Sequence, residues 1–172
     1  MTAGLFHAHG AWFGPCKGKN KINKKGFFES LYLKAEIEES HPGSFTRRWK
    51  GWMTSNGYDE TKFPFWGAKS GPEVFEKFKE FEPLLVICDR PVEDIVASRA
   101  RAGWVASDTN ANLAYSRVRG INYPGLLKFY VKTAEIARGD YSSIEPVFRK
   151  LPVSFQPEIA DEWVNPKLFH NG

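Results

Sequence analysis

The run Leu84-Leu85-Val86-Ile87-Cys88-Asp89, closed by Arg90-Pro91, constrains this chain more than any other feature. A short, continuous apolar run suits a strand covered on both faces, as in a parallel sheet between helices, and not a half-solvated strand. Pro91 then stands at a first helical position, where its missing N–H costs nothing because that donor has no intrahelical partner. Val92, Ile95, Val96 and Ala100 follow at helical spacing. The reading is strand–turn–helix, with Cys88 expected as a small buried hydrophobe.

Similar units flank it. Phe65 to Lys69 reads as a second short strand, and Ser70-Gly71-Pro72 opens a helix with Val74, Phe75, Phe78 and Phe81 on one face. Val118 to Tyr123 reads as a third strand, ended by Pro124 and Gly125. Helices are expected near the N-terminus, over Phe27–Ser40, over Phe45–Thr54, near Ala111–Ser116, over Leu126–Ala137 and around Ser143–Lys150. The tail from Pro152 is expected to be irregular or to hold a short helix. Strands alternating with helices argue for a layered α/β fold. With 172 residues, no repeat and no low-complexity linker, positions 1–172 are expected to form one domain.

Composition excludes several classes. Two cysteines, Cys16 and Cys88, make neither a disulfide framework nor a metal cluster, so a reducing cytoplasm is the default compartment. No apolar run approaches the roughly 18 residues of a membrane span. Ala3 to Phe13 is mildly apolar but lacks a basic leader, so neither a signal peptide nor a membrane partner is expected. His7 and His9, two apart on a helix, face different directions and make a poor metal pair. His41 and His170 are isolated, and no metal site is expected. A net charge of +4 fits an anionic ligand without requiring one. Five lysines between Lys17 and Lys25 form either a solvated loop or an electrostatic rim. Nearby aromatics permit single-stranded nucleic acid, but no stacking motif supports it.

An arginine at the end of a parallel strand points to the crevice where α/β proteins bind ligands. Ser98 lies two helical turns beyond Arg90, and a guanidinium with a converging hydroxyl can clamp a phosphate. The alternative is an arginine that caps its own strand and a serine that is merely exposed.

This segment, Arg90-Pro91-Val92-Glu93-Asp94-Ile95-Val96-Ala97-Ser98 after an apolar strand, resembles the 3′-phosphate-binding segment of sulfotransferases that use 3′-phosphoadenosine-5′-phosphosulfate (PAPS). Asn23-Lys24-Lys25-Gly26-Phe27-Phe28-Glu29 resembles the "NPKGxFE" of bacterial and phage members, with Lys24 in place of the usual proline. Trp66-Gly67-Ala68-Lys69 is similar to their "hGhK" strand, and Asn165-Pro166-Lys167-Leu168 to their C-terminal "fhdPxL". The resemblance spans nearly the whole chain in the right order. It implies a three-layer α/β/α sandwich of the P-loop NTPase type with a mainly parallel sheet. It also implies sulfuryl transfer from PAPS to a hydroxyl or amine of a small-molecule or glycan acceptor. Arg90 and Ser98 would then bind the donor's 3′-phosphate, and Lys69 and Glu29 would act at the reaction centre.

Two departures accompany the resemblance. The family's Gly- and Ser/Thr-rich phosphate loop, which cradles anions with backbone N–H groups at a helix N-terminus, has no counterpart here. Gly14-Pro15-Cys16-Lys17-Gly18-Lys19-Asn20 is one residue short of such a loop and ends on Asn. The chain therefore reads as truncated, with its first strand missing and its sheet gapped, or completed by the tail or by a second copy in a homodimer. In eukaryotic members a histidine base lies two residues beyond the strand lysine, and here that position is Gly71, which leaves Glu29 as substitute. The competing classes are a non-catalytic nucleotide-binding or interaction module and a P-loop kinase-like phosphotransferase.

Overall fold

In a computed structural model, the structure describes residues 1–19, 28–38, 43–70, 72–101 and 126–164, excepting the side chains of 72, 73, 98, 99 and 101. Helix α1 (Thr2–Ala8) leads through Gly10 into β1 (Ala11–Trp12). Helices α2 (Leu31–Glu38) and α3 (Phe45–Ser55) precede β2 (Phe65–Trp66). A 3₁₀ segment (Pro72–Phe81) then leads to β3 (Leu85–Asp89) and α4 (Val92–Arg101). The chain continues through β4 (Lys128–Lys132), the single turns α5 (Thr133–Ile136) and α6 (Glu145–Phe148), and α7 (Pro157–Trp163).

The fold is mixed α/β, and both strand pairings are parallel. Strand β1 pairs with β2, Ala11 opposite Phe65 and Trp12 opposite Trp66. Strand β3 pairs with β4 over five positions, from Leu85 opposite Lys128 to Asp89 opposite Lys132. Among the described residues these are two separate two-stranded sheets.

Two cores pack around them. The first combines Leu5 and Phe6 of α1, Ala11 and Phe13 at β1, Val131 of β4, and Ile136, Ile144, Val147, Phe148, Ala160 and Val164 from the C-terminal third. Phe65, Val86 and Phe129 border it, so one core touches both sheets. The second is aromatic. Trp49, fully buried, meets Tyr32, Phe45, Trp52, Trp66 and Phe78 at centroid separations of 4.9–6.0 Å.

The strand–turn–helix unit at Leu85–Arg101 forms as the sequence predicts, and so do α3 and the tail helix. The structure corrects four expectations. The helix expected over Phe27–Ser40 begins only at Leu31, because Glu29 and Ser30 are held in backbone bridges to Lys69 and Cys16. Lys128–Lys132 is a strand, not part of a helix over Leu126–Ala137, because Phe129 and Val131 alternate with Lys128, Tyr130 and Lys132 at a period of two. Helical structure begins only at Thr133. Cys88 is exposed, whereas Leu85 and Ile87 are buried, because successive residues of a strand face opposite sides. The helix after Gly71 is 3₁₀ and not α. The expected strand at Val118–Tyr123, the helix near Ala111–Ser116 and the Asn165–Leu168 motif lie outside the described residues.

Candidate functional site

Strand β1 does not stop cleanly at Trp12. The Gly67 N–H donates to the Trp12 carbonyl at 2.9 Å, which carries the pairing beyond the ladder. The chain then turns at Gly14, whose φ of +66° is open to glycine and strained for other residues. A Cβ at Gly14 would stand 2.7 Å from the rings of both Trp12 and Trp52, so the turn needs the missing side chain as well as the backbone freedom. This turn sends Pro15 to Lys19 back alongside residues 28–31. Lys17 N–H donates to the Glu29 carbonyl at 2.9 Å, and Cys16 pairs with Ser30 in an antiparallel bridge.

Glu29 also pairs with Lys69 in a parallel bridge. Residues opposed across a bridge project to the same face. Lys69 Nζ accordingly lies 3.5 Å from Glu29 Oε1, with the side chains 45% and 49% exposed. Forty residues of sequence separate the two groups, and one backbone bridge brings them together. At this exposure such a pair contributes between about 0 and 1 kcal/mol to stability, so replacing either side chain tests chemistry with little disturbance of the fold. The following Ser30 accepts the Leu33 N–H at 3.3 Å and caps α2, which fixes the end of the segment that carries Glu29.

Immediately before Glu29, Phe28 adopts a left-handed backbone with φ of +56°. For a bulky residue this conformation costs on the order of 1–3 kcal/mol. Packing offsets it, because the Phe28 ring meets His7 at 5.4 Å, Phe13 at 5.5 Å and Trp163 at 6.0 Å between centroids.

Beside the pair opens a cleft of about 540 Å³, lined by His7, Trp12, Phe13, Phe28, Asn56 and Phe63 and by the segment Gly14 to Lys19. Cys16 connects it to Glu29 and Lys69. Burial pushes the Cys16 thiol up, Lys69 pulls it down and Glu29 adds to the rise, with a net increase. Its Sγ donates to the Phe13 carbonyl at 3.2 Å. The net rise favours the protonated thiol over the thiolate at Cys16. His7 Nδ1 lies 3.2 Å from the Ala11 carbonyl, which can only accept, so that nitrogen carries a proton and Nε2 is the ring's other polar atom.

Arg90 follows β3 as expected, and its Nε lies 3.9 Å from Asp94 Oδ2 one turn along α4. This is the outer limit of an ion pair, and the carboxylate competes with any phosphate for the guanidinium. Ser98 belongs to α4, but its side chain lies outside the described residues, so the expected convergence of Arg90 and Ser98 does too. Among the described residues no cluster of three His, Cys, Asp or Glu side chains could hold a metal ion, and no helix is long and apolar enough to cross a membrane.

The sequence reading brings Lys69 and Glu29 to one place but misses the cleft. From the sequence, Gly14–Asn20 reads only as a failed phosphate loop, and His7 only as half of a poor metal pair. The readable signal was Gly14-Pro15 directly after Trp12-Phe13, a dipeptide that marks a turn. No protein-family model matches the chain, and no curated protein and no solved structure matches it.

Proposed function

We propose that the chain is a sulfotransferase-like protein that carries a sulfuryl group from PAPS to a hydroxyl or amine, with Lys69 and Glu29 at the reaction centre. The observation that carries this reading is the Glu29–Lys69 bridge, 3.5 Å between Nζ and Oε1, beside Phe28 and Lys17, which line a cleft of about 540 Å³. PAPS supplies an activated sulfuryl group on a phosphate leaving group. Glu29 is placed to take the proton of the attacking hydroxyl or amine. Lys69 is placed to neutralise charge that develops on the transferring group, the kind of term that dominates many enzymic rate gains. Arg90 and Ser98 are assigned to the donor's 3′-phosphate. The two parallel pairs, each too short to be a complete sheet, are consistent with a P-loop-type sandwich whose central strand and phosphate loop are not among the described residues.

The test is an assay with PAPS and a panel of acceptors on a form that carries the phosphate-loop strand this reading requires. Lys69→Ala should lower turnover by roughly a hundredfold or more, the scale of losing one electrostatic stabiliser. Glu29→Gln should do likewise with donor affinity unchanged. Near-normal turnover in either variant removes that residue from the mechanism. Retention on immobilised adenosine 3′,5′-bisphosphate that ATP displaces with equal ease would favour a kinase-like phosphotransferase.

A further inference from the structure

We infer that Phe28 is the positioning residue for Glu29: its ring, seated on the first core, holds a left-handed backbone turn that lays Glu29 beside Lys69. A positive φ is rare for a bulky side chain and persists only where the surrounding contacts over-determine it. At Phe28, with φ of +56°, one set of contacts belongs to the ring. It meets His7 of α1, Phe13 directly after β1 and Trp163 at the end of α7, three segments of one core. That socket is itself fixed. Phe13 is buried, and a Cβ at Gly4 would overlap the Trp163 indole, which therefore rests directly on the backbone of α1.

The other set lies just beyond, on the backbone that Phe28 feeds. The Glu29 carbonyl accepts the Lys17 N–H at 2.9 Å, Glu29 bridges Lys69, and Ser30 bridges Cys16. These are isolated bridges and not a ladder, and the half-exposed Glu29–Lys69 ion pair adds little hold of its own. A residue at position 28 that relaxed to an ordinary negative φ would redirect the chain, with little to keep Glu29 on its partners. The ring supplies the hold that the bridges lack. The same half-buried ring lines the cleft, so one residue joins the cleft to the carboxylate.

That this placement serves proton transfer rests on the proposed sulfuryl transfer, whereas the placement itself is measured without donor or turnover. Phe28→Val, Phe28→Ala and Phe28→Gly all remove the ring, and they rank oppositely in apolar size and in tolerance of a positive φ. Valine keeps the most apolar surface and tolerates the turn least, and glycine keeps none and tolerates it best. A side chain that merely fills space would preserve the Glu29 segment in the order Val, Ala, Gly. A side chain that holds a left-handed turn gives the reverse.

The experiment makes these three variants in the 172-residue chain and reads two NMR signals: hydrogen exchange at the Lys17 amide, and the NOE between Glu29 and Lys69 backbone protons across their bridge. Phe28→Gly should keep the NOE. Its Lys17 amide should exchange about tenfold more slowly than in Phe28→Ala, the scale on which glycine outranks alanine at a left-handed position, and Phe28→Val should exchange fastest. Where a variant unfolds, the thermal transitions make the same comparison, highest in Phe28→Gly and lowest in Phe28→Val. Retention in the order of side-chain size, or three indistinguishable variants, overturns the inference. The expected order with no transfer from PAPS in any form sinks the proposed activity alone, and transfer with the size order sinks this inference alone.

Discussion

Glu36 in one core and His9 in the other are both buried, and they are accommodated by opposite means. In the aromatic core Glu36, 2% exposed, is an ion. Arg48 Nη2 and Lys77 Nζ approach its Oε1 at 2.5 and 3.1 Å, from α3 and from the 3₁₀ segment. In the mixed core His9, 7% exposed, is held as a neutral ring. Its Nδ1 donates to the Leu5 carbonyl at 2.8 Å, and its Nε2 accepts the Gln156 N–H at 3.1 Å. The ring also stacks on Phe155 at 5.4 Å. A carboxylate cannot be buried without cations, whereas an imidazole can exhaust both nitrogens on backbone groups. The first arrangement therefore ties three helical segments by charge, and the second ties the end of α1 to the start of α7 by one hydrogen bond, the other fixing the ring on α1 itself.

The largest effect should come from removing the aromatic core itself. Trp49→Ala, at a side chain with no exposure, should cost about 3–5 kcal/mol in the midpoint of a denaturant titration. A loss under 1 kcal/mol would mean that the ring cluster is not the main support of this half.

Glu36→Gln should come next, at about 2–3 kcal/mol, because two cations lose their counter-charge but both reach solvent and can turn outward. The same network sets a pH dependence. Burial raises the Glu36 carboxyl, but hydrogen bonds from Arg48 and Lys77, together with their charges, outweigh it and hold the group below its ordinary value of 4.5. A depressed carboxyl contributes stability that is present above 4.5 and is lost as the pH falls through the lower folded value. Wild type should therefore lose stability in that acid window, and Glu36→Gln should lose less of it. Identical acid profiles would refute this role.

His9→Phe keeps the ring and its stacking but leaves the Gln156 N–H without its acceptor. It should cost about 1–2 kcal/mol, visible as faster amide exchange at Gln156. Smallest of the series is Tyr141→Phe. The Tyr141 hydroxyl donates to Asp161 Oδ1 at 2.6 Å. Burial first, then that bond and the carboxylate's charge, push the phenol up to about 12. The group thus stays protonated through neutral pH, and its loss should cost about 1 kcal/mol with no change in pH profile below 8.

What the sequence determined by itself is local. The apolar run before Arg90-Pro91 specifies β3 and α4 because a buried strand and a proline-started helix each declare themselves within a dozen residues. Ser44 before Phe45 caps α3 by accepting the Arg47 N–H at 3.5 Å, another short-range signal. The alternation in Lys128–Lys132 was equally readable, but a long apolar stretch around it masked the period. Only the tertiary structure decided what depends on distant segments meeting. Nothing between positions 29 and 69 announces that their backbones form one bridge, and that bridge alone brings carboxylate and ammonium within 3.5 Å. The same holds for the cleft, whose rings come from α1, β1, the Phe28 segment and the approach to β2. It holds equally for Glu36, which in sequence is one more charge on a short helix. Periodicity reports which way a residue faces, and burial and ion pairing depend on what the rest of the chain brings to that face.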